Sequence, residues 1–317
     1  MKFKVIKRQL RRPFEVATCM LLFAFIRFLP FSWVRFLARC LGRLLYLIPS
    51  QRKLVMSNLE LAFPHKSLLE KKSLARQSMS NMVMTFMEQI WFDNNEKRQK
   101  EYLSLSPEVQ KKLSDLEESE QPILFLALHI GNWEFTSLTV KRYSKRPLRV
   151  VANRVKNLWL NKWIVKSREF TGVEVLFEQG AVKGLLQTLR KKGNVGLLVD
   201  QNTPVDKGGT YANLFGLPVT ISRTPAMLSR KFNARVVIMS CLRTKTGFDY
   251  SLKVLPKQPE EFVNDESLTQ EFLTQMEIEI CDNPESWVWM YKRWNYIPKN
   301  QPHLQELYPY YARLDHN

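Results

Sequence analysis

Short apolar runs recur along the body of the chain and alternate with stretches of helical periodicity. The runs lie at 123–128, 147–152, 195–199 and 235–241. The helical stretches are 66–117, 134–143, 158–171, 181–192 and 222–232, and a further strand and helix are expected at 249–254 and 268–281. Runs of this length without polar alternation are typical of strands buried on both faces. The pattern predicts an α/β domain with a largely parallel central sheet flanked by helices.

The first 48 residues follow a different pattern. The apolar run 16–34 is interrupted by Arg27 and Pro30, and its uninterrupted part is shorter than the ~20 residues that cross a bilayer. Arg35, Arg39 and Arg43 recur every four residues, which places them in one stripe of a helix over 31–48. A basic stripe beside apolar positions favours a helix in the lipid headgroup region. An amphipathic helix packed on the domain is the alternative, and a spanning anchor and a half-buried one both remain possible.

Charge supports this division of the chain into a membrane segment, 1–48, and an α/β domain, 49–317. The net charge is +18, and residues 1–53 contribute +11 of it from twelve basic residues and one acid. The excess therefore lies on the most hydrophobic segment, which favours anionic lipid over nucleic acid as the partner. The four cysteines form no CxxC pair, which favours a reducing compartment.

His129 is the strongest candidate for chemistry. It directly follows the apolar run ILFLAL, at the carboxyl end of a predicted strand, where open α/β sheets bind ligands. Glu134 lies five residues later, and on one continuous helix the two side chains would diverge by about 140°. They can meet if the strand ends near His129, Gly131 turns the chain and Glu134 opens a helix with Asn132 as its cap.

A histidine held by a carboxylate can act as a general base. The chain has no GxSxG motif and no cysteine near His129, so the base would activate an external hydroxyl rather than a side chain of the protein. Backbone N–H groups of Gly131 or Asn132 are candidates for stabilising an oxyanion. The alternative is a helix-capping carboxylate beside a structural histidine.

Other polar residues follow predicted strands or lie on predicted helices. Arg154 follows LRVVA and is expected at the same sheet edge, to grip a phosphate or an oxyanion or to form a surface salt bridge. Arg168 is a second candidate on a helix. Asp200 ends a strand and is expected to lock the loop 201–213 or to orient a substrate group. Arg293 is expected to pair with an internal carboxylate. The nearby tryptophans 287, 289 and 294 are expected to pack in the core.

The segment LHIGNWE resembles the H-x4-E motif of the bacterial lysophospholipid acyltransferase superfamily, particularly the lipid A late acyltransferases. The likeness extends from about residue 10 to residue 300, and the order of its motifs is specific. The matching residues are Asn58, Leu59, Phe63, Pro64, Arg154, Asn157, Arg168, Gly172, Asp200, Gln201, Phe215, Gly216, Pro218, Pro284, Trp287, Trp289, Arg293 and Trp294. Leu214 departs from the family pattern, in which phenylalanine is usual.

The resemblance implies transfer of a fatty acyl chain from acyl carrier protein, or acyl coenzyme A, to a hydroxyl of a phosphorylated glycolipid such as a lipid A precursor. His129 would be the base and Glu134 its partner, and no metal or redox cofactor is implied. The substrate-binding residues would be Arg154, Asn157, Arg168 and Asp200. The expected location is the cytoplasmic face of the bacterial inner membrane. A same-fold acyltransferase for another glycolipid or lysophospholipid, an inactive lipid-binding relative and a nucleic-acid binder are the alternatives.

Overall fold

The computed structural model describes residues 17–315, and its centre is a six-stranded sheet. The strand order is β3-β2-β4-β1-β7-β8, in which only β8 is antiparallel to its neighbour. These strands are β1 (Ile123–Gly131), β2 (Leu148–Ala152), β3 (Glu174–Phe177), β4 (Asn194–Leu198), β7 (Arg235–Arg243) and β8 (Phe248–Val254). A hairpin of β5 (Gly209–Leu214) and β6 (Leu217–Ser222) and a pair of β9 (Tyr296–Ile297) and β10 (Arg313–Leu314) lie outside this sheet.

Helices cover the sheet. The first, α1, occupies 17–28 of the described range. The others are α2 (Phe31–Tyr46), α3 (Pro49–Ala62), α4 (Leu68–Phe92), α5 (Glu96–Tyr102), α6 (Pro107–Glu118), α7 (Glu134–Tyr143), α8 (Leu158–Glu169), α9 (Ala181–Arg190), α10 (Thr224–Phe232) and α11 (Asp265–Asp282).

Strand β1 shows why the apolar runs predicted the sheet. Leu124, Leu126 and Leu128 pack into one core of the protein, whereas Ile123 and Phe125 pack into the other. Both faces of the strand are buried, so an uninterrupted apolar run is what the sheet requires. The largely parallel α/β architecture is confirmed. The pattern did not predict α3, β3 or the β5–β6 hairpin. Strand β3 is only four residues long and incompletely buried, so its apolar signal is weak.

The N-terminal helices pack on the domain rather than standing apart from it. Helix α2 runs along α4 so closely that a Cβ on Gly42 would lie 2.3 Å from the Cα of Ser80. Arg35 is buried and its Nε donates to Glu88 Oε1 at 2.8 Å. The prediction of one continuous basic stripe facing lipid headgroups is therefore wrong at Arg35, whereas Arg39 and Arg43 are exposed.

A set of large apolar side chains on α1, α2 and the turn after α2 remains uncovered. We call this set the apolar face: it comprises Met20, Leu21, Leu22, Phe25, Phe28, Trp33, Phe36, Leu41, Leu44, Leu47 and Ile48. Within residues 17–315, no helix is both long and apolar enough to cross a membrane. The basic stretch before residue 17 and the start of the apolar run lie outside the described residues.

Candidate active site

The turn between β1 and α7 has the form that the sequence predicted, and Gly131 makes it possible. Its φ is +58°, and a Cβ at this position would lie 2.1 Å from the backbone oxygen of Cys241. Both the left-handed conformation and the close approach of β7 therefore exclude a side chain. Helix α7 begins three residues later, at Glu134, and its cap residue is Trp133 rather than the predicted Asn132.

His129 is held by Asp200. Its Nδ1 lies 2.7 Å from Asp200 Oδ1, and its backbone N–H donates to Asp200 Oδ2 at 2.9 Å. Trp287 Nε1 donates to the same Oδ2 at 2.7 Å. Both carboxylate oxygens are thus engaged, which fixes the orientation of the carboxylate and, through it, the imidazole. The His129 side chain remains 17% exposed, whereas that of Asp200 is 5% exposed.

The sheet register explains why these two residues meet. Strands β1 and β4 are parallel neighbours, and Ala127 pairs with Leu198. Two residues further along each chain, His129 and Asp200 are level at the carboxyl edge of the sheet. Because side chains two apart on a strand share a face, His129 follows Phe125 and Ala127 on one face of β1.

Burial and charge act in opposite directions on this pair. Burial lowers the pKa of the His129 imidazole, but the charge and hydrogen bond of Asp200, aided by the charge of Glu134, outweigh it and raise that pKa. For Asp200, burial raises the pKa of the carboxyl group, but the charge of His129 and the hydrogen bonds from His129 and Trp287 outweigh it and lower the pKa. The pair therefore favours a negative Asp200 beside an imidazole that accepts protons readily.

Glu134 has a different partner from the one that the sequence predicted. Its two oxygens accept from Arg168, Oε1 from Nη2 at 2.8 Å and Oε2 from Nε at 3.0 Å. Gln89 Nε2 lies 3.5 Å from Oε2. Asp200, not Glu134, hydrogen-bonds the imidazole within the described residues, and Glu134 reaches His129 only through its charge. A two-pronged pair of this kind fixes the guanidinium plane as well as its position. Burial lowers the pKa of Arg168, but the charge and the hydrogen bond of Glu134 raise it by more than burial lowers it. Arg168 therefore stays charged.

The oxyanion role predicted for Asn132 does not fit its contacts. Its backbone N–H already donates to the oxygen of Cys241 at 2.8 Å. Its side chain donates to Glu88 Oε2 at 2.8 Å. Asn132 therefore ties the turn to β7 and to a buried carboxylate. Gln201 is the polar group beside the second ring nitrogen of His129 instead, with its Nε2 3.4 Å from His129 Nε2.

A narrow apolar cleft lies on the α7 side of the sheet, next to this centre, and the ring of Trp133 separates it from the imidazole. It extends between β1, β2, β4 and the helices α7 and α8, and Glu134 and Arg168 belong to its wall. Its apolar lining comprises Phe125, Ala127, Trp133, Val140, Leu148, Val150, Val151, Leu197, Leu198 and Met239. The cleft is therefore an apolar passage with one buried ion pair beside the imidazole.

The remaining predicted residues lie at or near the same edge. Arg154 is exposed and its guanidinium carbon lies 4.2 Å from the centre of the Phe177 ring. Asn157 Oδ1 accepts from the backbone N–H groups of Trp159 and Leu160, so it caps α8. Arg293 is buried and donates to Asn202 Oδ1 and to the backbone oxygen of Thr220. Burial lowers the pKa of Arg293 and the charge of Asp200 opposes that shift, so within residues 17–315 an internal carboxylate acts on Arg293 through its charge and not through a contact ion pair.

Sequence reasoning missed two residues that contact the His129–Asp200 pair. Trp287 was assigned to packing; it is buried, but it also donates to Asp200. Gln201 was quoted only as part of a motif. An antiparallel bridge with Ile130 brings Trp287 to the pair from 157 positions away, and no local periodicity signals it, whereas Gln201 directly follows Asp200 in the sequence.

Known proteins resemble this chain along most of its length. A family model described as bacterial lipid A biosynthesis acyltransferase matches residues 2–296. A lipid A biosynthesis lauroyltransferase from Escherichia coli (strain K12) is 23% identical over 282 residues, which cover 86% of this chain and 89% of that protein. A lipid A biosynthesis palmitoleoyltransferase from the same organism is 21% identical over 281 residues, covering 87% and 89% of the two chains. A lipid A biosynthesis acyltransferase from Shigella flexneri matches to the same extent.

Proposed function

The chain belongs to the bacterial lipid A biosynthesis acyltransferase family and is an acyltransferase, and we propose that it moves a fatty acyl chain from an acyl thioester to a hydroxyl of a lipid A precursor. The observation that carries the proposal is the imidazole of His129, oriented at Nδ1 by Asp200 and partly exposed at the sheet edge. The relatives named above are lipid A acyltransferases, which supports a glycolipid acceptor.

His129 acts as the general base through Nε2. With Nδ1–H donating to Asp200, Nε2 carries the lone pair and takes the proton of the acceptor hydroxyl. The hydroxyl oxygen then forms a bond with the thioester carbonyl carbon. When the tetrahedral intermediate collapses, the C–S bond breaks and the departing sulfur takes the proton from the imidazolium. Asp200 stabilises the imidazolium between these two proton transfers.

Glu134 acts as a positioning residue in this scheme. Its charge favours the protonated imidazole, and its two-pronged pair with Arg168 holds a guanidinium in the wall of the cleft. Asn157 contributes by capping α8, the helix that carries Arg168. Arg154 is exposed beyond β2, where it is available to a phosphate of the substrate.

The apolar cleft takes the acyl chain of the donor. Apolar side chains line it, and the ring of Trp133 in its wall lies 5.0 Å from the His129 imidazole between ring centres. An acyl chain inserted there gains ~0.8 kcal/mol for each buried methylene group. We propose acyl carrier protein as the donor, with acyl coenzyme A as the second candidate.

The protein works at a membrane surface, on the cytoplasmic face of the inner membrane. The apolar face of α1 and α2 supports this: Leu21 and Phe28 are 74% and 88% exposed, and such contiguous apolar surface is rare on proteins without an apolar partner. Arg39 and Arg43 are exposed on α2 near these residues and suit anionic headgroups.

The reaction is tested with purified protein, a radiolabelled acyl thioester and a lipid A precursor. His129→Asn removes the base and should lower kcat by ~10²–10⁴-fold, because general base catalysis contributes about that factor. His65→Asn is the matched control, since His65 is an exposed histidine, and it should retain activity. Full activity in folded His129→Asn protein, or no acyl transfer by the parent protein to any lipid acceptor, would overturn the proposal.

A further inference from the structure

A second, strongly basic cavity lies between α2, α4 and the turn joining β7 to β8, and His129 is not part of its lining. Its volume is about 910 Å³. We call it the arginine groove. Its lining contains one acidic residue, Glu285, and six basic residues. The basic residues are Arg35, Arg39, Arg43, Arg76, Arg243 and Lys245.

Two of these arginines form the floor of the groove and share one carboxylate, that of Glu88. Glu88 is fully buried, and its Oε1 accepts from Arg35 while its Oε2 accepts from Arg243. Arg35 also donates to the backbone oxygens of Thr244 and Gly247, which fixes the turn that carries Lys245. The Arg243 side chain is 9% exposed, and its Nη1 has no hydrogen-bond acceptor within residues 17–315. The hydrogen bonds of Arg35 and Arg243 therefore hold the floor in place, and Arg243 Nη1 is left to donate to a bound anion.

The other arginines form the walls and are not neutralised. Arg39, Arg43 and Arg76 are exposed and form no ion pair with a carboxylate inside the described range. The close contact at Gly42 brings α2 against α4, so the arginines before and after Gly42 face Arg76 across one groove. Like charges so close together repel each other, and an anion that binds several of them at once relieves this repulsion. Phosphate suits the arrangement, because guanidinium groups bind its oxygens two at a time.

The lip of the groove identifies the kind of anion. Leu44 and Leu47 line the groove and are 58% and 64% exposed, and they also belong to the apolar face. A soluble phosphate would gain nothing from these leucines, whereas a lipid can place its phosphate among the arginines and its chains along the apolar side chains. We propose that the arginine groove is a binding site for the phosphate headgroup of a lipid, separate from the acyl-transfer centre.

The test separates a headgroup site from diffuse attraction to a charged surface. Binding of the full chain is measured on phosphatidylcholine vesicles that carry phosphatidic acid, and on vesicles brought to the same surface potential with a fatty acid carboxylate. The parent protein should prefer the phosphatidic acid vesicles by ~10-fold or more, because several charge-assisted hydrogen bonds depend on the phosphate. This assay contains no acyl donor, so its outcome is independent of the proposed reaction.

Three variants complete the design. Arg39→Gln/Arg43→Gln/Arg76→Gln should abolish the preference, and the corresponding triple lysine variant should lose most of it while keeping its affinity for the carboxylate vesicles. Lys183→Gln/Arg190→Gln/Lys191→Gln, on α9 and at its C-cap, removes the same charge elsewhere and should keep the preference. Equal binding of the parent protein to both kinds of vesicle, or equal loss in the α9 control, would overturn the site. Displacement by inorganic phosphate at concentrations no higher than that of the vesicle phosphatidic acid would overturn the assignment to a lipid, because Leu44 and Leu47 would then add nothing to binding.

Discussion

Asp200 Oδ1 and His129 Nδ1 lie 2.7 Å apart although 71 residues separate them in the chain. His129 lies near the carboxyl end of β1 and Asp200 lies two residues beyond β4, and these two strands are parallel neighbours in one sheet. Glu134, which is much nearer to His129 in the sequence, accepts hydrogen bonds from Arg168 instead. The pair of residues that prepares the base is therefore formed between two strands rather than within one short motif.

Asp200→Asn should inactivate the enzyme by reversing the imidazole tautomer. The amide oxygen of the new side chain would accept from Trp287 and from the His129 backbone, so its NH₂ group would face Nδ1. Nδ1 would then become the acceptor and Nε2 would carry the proton, which leaves no base. We expect kcat to fall ~10³–10⁴-fold in the acyl-transfer assay. Asp206→Asn, an exposed aspartate in the following loop, is the control. Near-normal kcat in Asp200→Asn would refute the role given to Asp200.

The pH profile of kcat/KM should show the raised pKa of His129. A general base works only when it is unprotonated, so activity falls as the pH drops through its pKa. Because that pKa is raised, the acidic limb should be centred above ~6.5, the ordinary value for histidine. Asp200→Asn leaves no base in the reactive tautomer, so its residual activity should lack this acidic limb. A wild-type limb below the ordinary value would contradict the burial and charge balance described above.

Substitutions of Glu134 and Arg168 should have strongly non-additive effects on the free energy of unfolding. Glu134→Gln or Arg168→Gln alone leaves one buried charge without its partner, which costs ~3–5 kcal/mol in the free energy of unfolding. The double variant leaves neither charge, so its cost should be clearly less than the sum of the two single costs. Chemical unfolding of the four proteins measures this difference. Strict additivity would show that the pair is not a unit.

Gly196→Val should shift the donor preference toward shorter acyl chains. Gly196 lines the apolar cleft, and a Cβ there would already lie 3.1 Å from Val150 Cγ1, so a larger side chain must narrow the passage. One methylene group more or less in an apolar pocket changes the binding free energy of the transition state by ~1–3 kcal/mol. The measurement is the ratio of kcat/KM for long and short acyl donors, in which any loss of folded protein cancels. An unchanged ratio would show that the acyl chain of the donor does not bind in this cleft.

Phe25→Ser/Phe28→Ser should weaken binding to lipid vesicles without unfolding the domain. The two side chains are 55% and 88% exposed in the protein, so they contribute little to its core. Each phenylalanine that enters the membrane contributes ~1.5–3 kcal/mol, and we expect partitioning to fall ~10²-fold. Val263→Ser/Leu307→Ser is the control, since these side chains are 89% and 60% exposed on other parts of the surface. Equal loss in both variants would argue against the apolar face as the attachment surface.

Much of the architecture was predictable because its signals are local. The run ILFLAL, Gly131 and the periodicity from Glu134 onward define a strand, a tight turn and a helix, and the structure has all three. The hairpin β5–β6 was missed because its turn uses Phe215 and Gly216 at positive φ, and phenylalanine is not a residue from which such a turn is expected.

The sequence by itself determined that His129 stands at the carboxyl end of a buried strand and that positive charge accumulates beside apolar positions near the N-terminus. Both follow from residue order alone, through strand length and helical spacing. Only the tertiary structure decided that Asp200 holds the imidazole, that Glu134 pairs with Arg168 and that Arg35 is buried against Glu88. These contacts depend on strand order and on helix packing, and long-range pairing of this kind is set by the burial of whole faces, which no local spacing records.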